Sequence, residues 1–185
     1  MKRALRAEIR ERRRTRTSKE REAATDGFTQ NLIKLTLDHN ATFVACYLSA
    51  QNEPNTRPYL NWARENGIRT LVPVSREDGL LDWTEGDGEN EVEGLFGMPE
   101  PVGELLGPII INDVDLILVP AAAIDHKGVR MGWGRGYFDK TLGSMEKCPP
   151  VFALIYDDEF LDSVPSEVHD QRVNGIVTPI RIFSF

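Results

Sequence analysis

The chain has 185 residues, 41% of them hydrophobic and 28% charged, with a net charge of −7; these values suit one globular domain with a substantial core. No apolar run approaches the roughly 20 residues of a membrane span, and the charged start lacks a signal-type apolar segment, so a cytoplasmic protein without a membrane partner is expected. Cys46 and Cys148 make no C-x-x-C pattern and His39, His126 and His169 are scattered, which excludes zinc and thioredoxin-like motifs.

Charge is unevenly placed. Residues 1–21 carry ten Lys/Arg against three Glu, a local +7 that leaves −14 on the remainder. Leu5 and Ile9 stand four apart, as on one helix face. The segment reads as a basic helix, solvated and partly packed on the domain; the alternative is an arm that binds RNA through its phosphates. Thr17 with Glu20 three residues on has the capping-box pattern. It opens a second helix to about Asp38, in which Phe28, Leu32 and Leu35 recur at core-facing spacing.

Residues 41–49 form a short apolar, β-rich run, a buried strand that takes in Cys46. After the polar loop 51–58, residues 59–65 read as a helix stopped near Gly67, and 68–74 as the next strand. Strand-helix-strand order points to a parallel sheet covered by helices. Residues 80–84 add a strand, and the acidic stretch 85–94 reads as a mobile surface loop. The continuous apolar run 114–119 suits a central parallel strand and is expected to lead directly into a glycine loop. Residues 151–156 and 175–182 supply the last strands. The expected fold is α/β, a single domain over 1–185 with a mixed, mostly parallel sheet flanked by helices.

The segment after that central strand carries the chemistry. Glycines alternate at 132, 134 and 136, so the backbone there can take positive φ and approach a ligand closely. Arg130, Arg135 and Lys140 surround it with positive charge, and Asp139 supplies a carboxylate where a phosphate-bound metal would need a ligand. The pattern is neither a P-loop, which ends in Gly-Lys-Ser/Thr, nor the dinucleotide G-x-G-x-x-G. A plain glycine turn, with Asp139 complementing a helix dipole, is the alternative. The glycine loop and the loop holding Glu53 both follow strands, so both can face one cleft at the carboxyl ends of a parallel sheet.

The stretch from Asp125 to Asp139, D-H-K-G-V-R-M-G-W-G-R-G-Y-F-D, resembles the signature of the 5-formyltetrahydrofolate cyclo-ligase family, also called 5,10-methenyltetrahydrofolate synthetases. Lys2-Arg3-Ala4-Leu5-Arg6, Leu48-Ser49 with Glu53, Gly97-Met98-Pro99-Glu100-Pro101 and His169-Asp170 agree with it in order. The resemblance implies ATP-driven cyclisation of a folate substrate by a monomeric enzyme with no nucleic-acid partner. It implies that ATP contacts Lys2, Arg6, Arg130, Met131, Gly132, Trp133, Gly134, Arg135, Gly136, Tyr137 and Phe138, and that Mg2+ binds Asp139 and Asp170. Folate would contact Leu48, Glu53, Trp133, Gly134, Arg135, Gly136 and Tyr137. Arg135 and Lys140 are the candidate catalytic cations. Asn174 stands where relatives often have an acid, and an amide adds no charge for a metal. From the residues alone, a sugar-phosphate or acyl-group enzyme on a similar anion loop stays open.

Overall fold

The computed structural model describes residues 1–185. The basic segment forms α1 (Lys2–Arg14) and the capping box opens α2 (Ser18–Asp38). Both reciprocal bonds of that box are present: Glu20 N–H donates to Thr17 Oγ1 at 3.1 Å, and Thr17 N–H to Glu20 Oε1 at 3.4 Å. Then come β1 (Phe43–Cys46), α3 (Arg57–Glu65), β2 (Arg69–Ser75), β3 (Leu81–Thr84), β4 (Glu91–Glu93) and β5 (Pro99–Pro101). The second half runs β6 (Leu116–Pro120), β7 (Ala123–Asp125), β8 (Arg130–Met131), α4 (Tyr137–Ser144), β9 (Val151–Leu154), β10 (Phe160–Leu161), β11 (Gly175–Val177) and β12 (Ile182–Ser184).

Seven strands make the main sheet in the order β12-β11-β9-β6-β1-β2-β3. The five central strands are parallel and the two edge strands antiparallel. Alternating side chains divide the core. Val44, Cys46, Leu116 and Leu118 meet Phe28, Leu32 and Leu35 of α2 and Tyr59 and Leu60 of α3. Phe43, Ala45, Ile117 and Val119 face the opposite way, toward Ile111, just before β6, and Leu142 of α4. Strands buried on both faces need continuous apolar sequence, which β1 and β6 have.

Counting only the parallel strands, the chain runs from β1 outward to β2, then returns to the other side of β1 for β6, β9 and β11. The direction of winding therefore reverses between β1 and β6. In open α/β sheets the crevice at that reversal, beyond the carboxyl ends of the strands, is where ligands sit. The loops leaving β1 and β6 are the ones that carry Glu53 and the glycines.

Three expectations need correction. β6 does not lead directly into the glycine loop: the hairpin β7–β8 intervenes and, with β10, forms a second small sheet. Asp125 makes that hairpin turn, since its buried Oδ1 accepts from Lys127 N–H at 2.9 Å and Val129 N–H at 3.0 Å. Such an aspartate-centred turn lets the chain reverse before the glycines. The acidic stretch is not all loop, because β4 pairs antiparallel with β5. The segment 175–182 is not one strand either, since Thr178 accepts from Ile180 and Arg181 N–H and turns the chain between β11 and β12.

α1 is held by Ile9, fully buried with Ala122, Ala123, Met131 and Val164 in a third cluster beneath it. Burying such a side chain contributes about 1.5–3 kcal/mol. This docks α1 over the reversal point, with its basic face turned to the cleft.

Candidate active site

A cleft of about 940 Å³ opens at the carboxyl ends of the sheet, lined by α1, the loop after β1, the β4–β5 hairpin, the glycine loop and the segment around Asp170. Such a size suits a small-molecule or nucleotide site.

The glycine loop forms one wall. Gly134 and Gly136 take φ values of 102° and 77°, conformations that L side chains rarely adopt. Gly132 does not have positive φ; it is needed because an added Cβ would lie 2.9 Å from Arg130 Nη1. Gly136 is also the N-cap of α4, so the loop ends with the helix N-terminus and Asp139 in its first turn. Arg130 is buried and its Nε–H donates to Pro120 O at 2.8 Å. Burial lowers its pKa to about 10, with Asp139 and Asp170 pulling it back up, so it stays cationic at neutral pH.

α1 forms the opposite wall. Lys2 Nζ lies 2.7 Å from Asp170 Oδ2 and 3.3 Å from Glu167 Oε1. Arg6 Nε–H donates to the Gly132 carbonyl at 2.8 Å, which fixes α1 to the loop. Trp133 lies under the guanidinium of Arg10, 4.9 Å from its ring centroid, and that of Arg13, at 5.1 Å. Such cation–π contacts hold the indole against α1.

Asp139 and Asp170 both act on the Arg130 charge, and Gln171 N–H donates to Asp139 Oδ1 at 3.2 Å. Asp170 Oδ2 accepts from Lys2 and from Glu167 N–H at 2.8 Å. Burial opposes its charge, but the Lys2 and Glu167 hydrogen bonds hold its carboxyl below the ordinary range. Asp139 Oδ2 and Asp170 Oδ1 accept no hydrogen bond. Asp170 Oδ1 also stands 3.6 Å from His169 Nε2; carboxylates with hard oxygen donors beside a phosphate-type loop are of the kind that Mg2+ takes.

Leu48 and Glu53, from the loop after β1, also line the cleft. Ala50 N–H donates to Glu53 Oε1 at 2.8 Å, while burial pushes the Glu53 pKa up. The β4–β5 hairpin closes the mouth. Phe96, at φ 60°, places its ring 3.4 Å from Arg135 Cζ, and Tyr137 donates its hydroxyl to Arg76 O at 2.7 Å.

Two expected residues lie elsewhere. Met131 packs under α1 with Ile9, since β8 points alternate side chains to opposite sides and gives the cleft side to Arg130. Lys140 does not line the cleft; its Nζ lies against the turn at Gly79, because one position past Asp139 on α4 faces a different way. Asn174 is structural: its side-chain oxygen accepts from Val151 N–H at 2.8 Å at the start of β9, the other end of the strand.

The sequence reading gave no site role to Arg10, Arg13, Phe96 or Glu100, all of which line the cleft. A signal existed for two of them. Lys2, Arg6, Arg10 and Arg13 are spaced four, four and three apart, a single helix face.

A sequence model described as the 5-formyltetrahydrofolate cyclo-ligase family matches residues 1–179. A 5-formyltetrahydrofolate cyclo-ligase from Mycolicibacterium smegmatis is 36% identical over 143 residues, covering 75% of this chain and 74% of that protein. One from Escherichia coli K12 is 25% identical over 96% of this chain and all of its own. The solved structure of Aquifex aeolicus 5,10-methenyltetrahydrofolate synthetase superposes with a TM-score of 0.82 at 25% identity, covering 99% of this chain and 92% of that one. With the signature on the glycine loop and a match over nearly its whole length, the chain belongs to the 5-formyltetrahydrofolate cyclo-ligase family of enzymes.

Proposed function

We propose that the protein converts 5-formyltetrahydrofolate to 5,10-methenyltetrahydrofolate with ATP and Mg2+, releasing ADP and phosphate. The observation that carries this reading is one cleft lined both by a cationic glycine loop with two aspartates and by Leu48, Glu53 and aromatic rings.

The chemical problem is loss of the formyl oxygen. In the proposed sequence that oxygen attacks the γ-phosphorus, a P–O bond forms, and the bond to the bridging oxygen breaks with release of ADP. N10 of the folate then attacks the activated carbon. Phosphate departs with the electrons of the C–O bond, N10 gives up its proton to it, and the methenyl cation remains. Catalysis of phosphoryl transfer rests on positioning and charge neutralisation. Arg6, Arg130, Arg135 and Lys2 supply the positive charge, the loop N–H groups face the phosphates, and Glu53 anchors the folate. Asp139 and Asp170 would hold Mg2+, which when bound offsets negative charge on the phosphate oxygens. No side-chain nucleophile is required, consistent with the absence of a base-paired Ser or Cys around the cleft.

Substrate labelled with ¹⁸O in the formyl group tests the sequence. One labelled oxygen should appear in phosphate for each methenyl product. Unlabelled phosphate would contradict phosphorylation of the formyl oxygen.

A further inference from the structure

Arg13 shares the cleft-facing stripe of α1, yet only 3% of it is exposed. A guanidinium carries five N–H groups. Three are matched: Nε–H donates to Glu159 Oε2 at 2.8 Å, and Nη2 donates to Glu159 Oε1 at 2.7 Å and Ala121 O at 2.9 Å. The two on Nη1 have no acceptor within the protein, and Arg13 lines the cleft. Nη1 is therefore open to the cleft on an otherwise buried side chain, and a site that presents such a donor selects ligands that supply the acceptor over those that lack it.

The neighbours narrow that acceptor. Glu159, itself 1% exposed, already neutralises the guanidinium. The pair brings no net charge, so it suits a neutral oxygen rather than a polyphosphate. Glu53 lines the same cleft, near enough for Arg13 to pull its carboxyl down against the burial that raises it. Trp133 lies under the same guanidinium. A donor, an acceptor and an aromatic face therefore stand together. The pterin ring of a folate presents the complement along one edge: an oxo group at C4 beside the N3–H and the 2-amino group.

We propose that Arg13 is a specificity-determining residue, with Nη1 donating to the pterin 4-oxo group while Glu53 accepts from N3–H and the 2-amino group. The inference rests on the folate reading of this cleft. It predicts that the enzyme discriminates against a 4-amino pterin, which would set one donor against another.

Calorimetric titration with 5-formyltetrahydrofolate and its 4-amino-4-deoxy counterpart tests it, with MgATP titrated separately. The native protein should bind the 4-oxo compound about tenfold or more tightly, as expected for a charge-assisted hydrogen bond. Arg13→Met should bring the two to within about twofold and leave MgATP affinity unchanged. Arg13→Lys, which keeps the charge for Glu159 but lacks a second fork, should do the same if the methionine variant is unstable. Glu159→Gln keeps the guanidinium and should keep the preference. A preference that survives both Arg13 variants, or is absent from the native protein, overturns the proposal. Failure of the native protein to bind either pterin overturns the folate reading as well.

Discussion

Lys2 and Asp170 stand 2.7 Å apart, joining the first turn of α1 to a segment 168 residues further along the chain. The contact closes one end of the cleft and positions a cation beside a candidate metal carboxylate. Asp170 is nearly buried, its side chain 4% exposed. Without Lys2 its carboxylate would keep only the Glu167 N–H as donor.

Lys2→Met is therefore expected to cost about 1–2 kcal/mol of stability and to raise KM for ATP about tenfold. The stability difference should depend on pH. The Asp170 pKa is lowered on folding, so its contribution is full above the unfolded value of about 3.9 and is lost as pH falls through the lowered one. The Lys2 pKa is raised, burial being outweighed by the two carboxylates, so its contribution persists below the unfolded value of about 10.4 and is lost above the raised one. Thermal unfolding of native and variant protein should differ steadily between about pH 5 and pH 9 and converge toward pH 3.

Asp139→Ala removes the carboxylate at the start of α4 that accepts from Gln171 N–H. The circular dichroism spectrum should be unchanged, while kcat falls about a hundredfold and the Mg2+ dependence of ATP binding disappears. Native-like activation by Mg2+ in this variant would remove Asp139 from the metal site.

Arg135 is exposed and rests on the ring of Phe96, where the glycine loop and the β4–β5 hairpin meet. Arg135→Ala should lose about 1.5–3 kcal/mol of transition-state stabilisation, read as kcat/KM. Phe96→Ala keeps the charge but frees the guanidinium, and should cost less. An equal loss in both variants would mean that stacking, not charge, is what matters.

Gly136 and Gly132 separate conformation from space. An added Cβ at Gly136 meets nothing within 4 Å, but φ is 77°, so Gly136→Ala should cost about 1–2 kcal/mol through backbone strain alone. At Gly132 φ is unexceptional, but the new methyl would press on the buried Arg130 guanidinium. Gly132→Ala should therefore impair ATP binding more than stability, whereas Gly136→Ala should affect both. Denaturant unfolding beside ATP titration distinguishes them.

Periodic sequence was legible. The capping box at Thr17, the stripe Phe28-Leu32-Leu35 and the apolar strands β1 and β6 all follow from local pattern, and together they determine the parallel sheet. The second small sheet was not legible, because β8 and β10 are two residues each, too short for any period to show. The Asp125 turn left a trace in Asp-His-Lys-Gly, but reading it requires knowing that Asp125 is buried. At the site, the glycine loop and its charges could be read directly. The spacing of Arg13 puts it on the basic face of α1, but its burial could not be read: a helix arginine reads as solvated until Glu159, 146 residues away, is placed beside it. Lys140 lies off the cleft for a related reason, since proximity in sequence to Asp139 does not put two side chains on one face of a helix.

The most direct test of the central claim is one assay of folded protein with 5-formyltetrahydrofolate, ATP and Mg2+, following the methenyl product by its near-ultraviolet absorption and omitting each component in turn. Product in the complete mixture and in none of the others is the predicted result. Product formed without ATP, or none at all in the complete mixture, would contradict it.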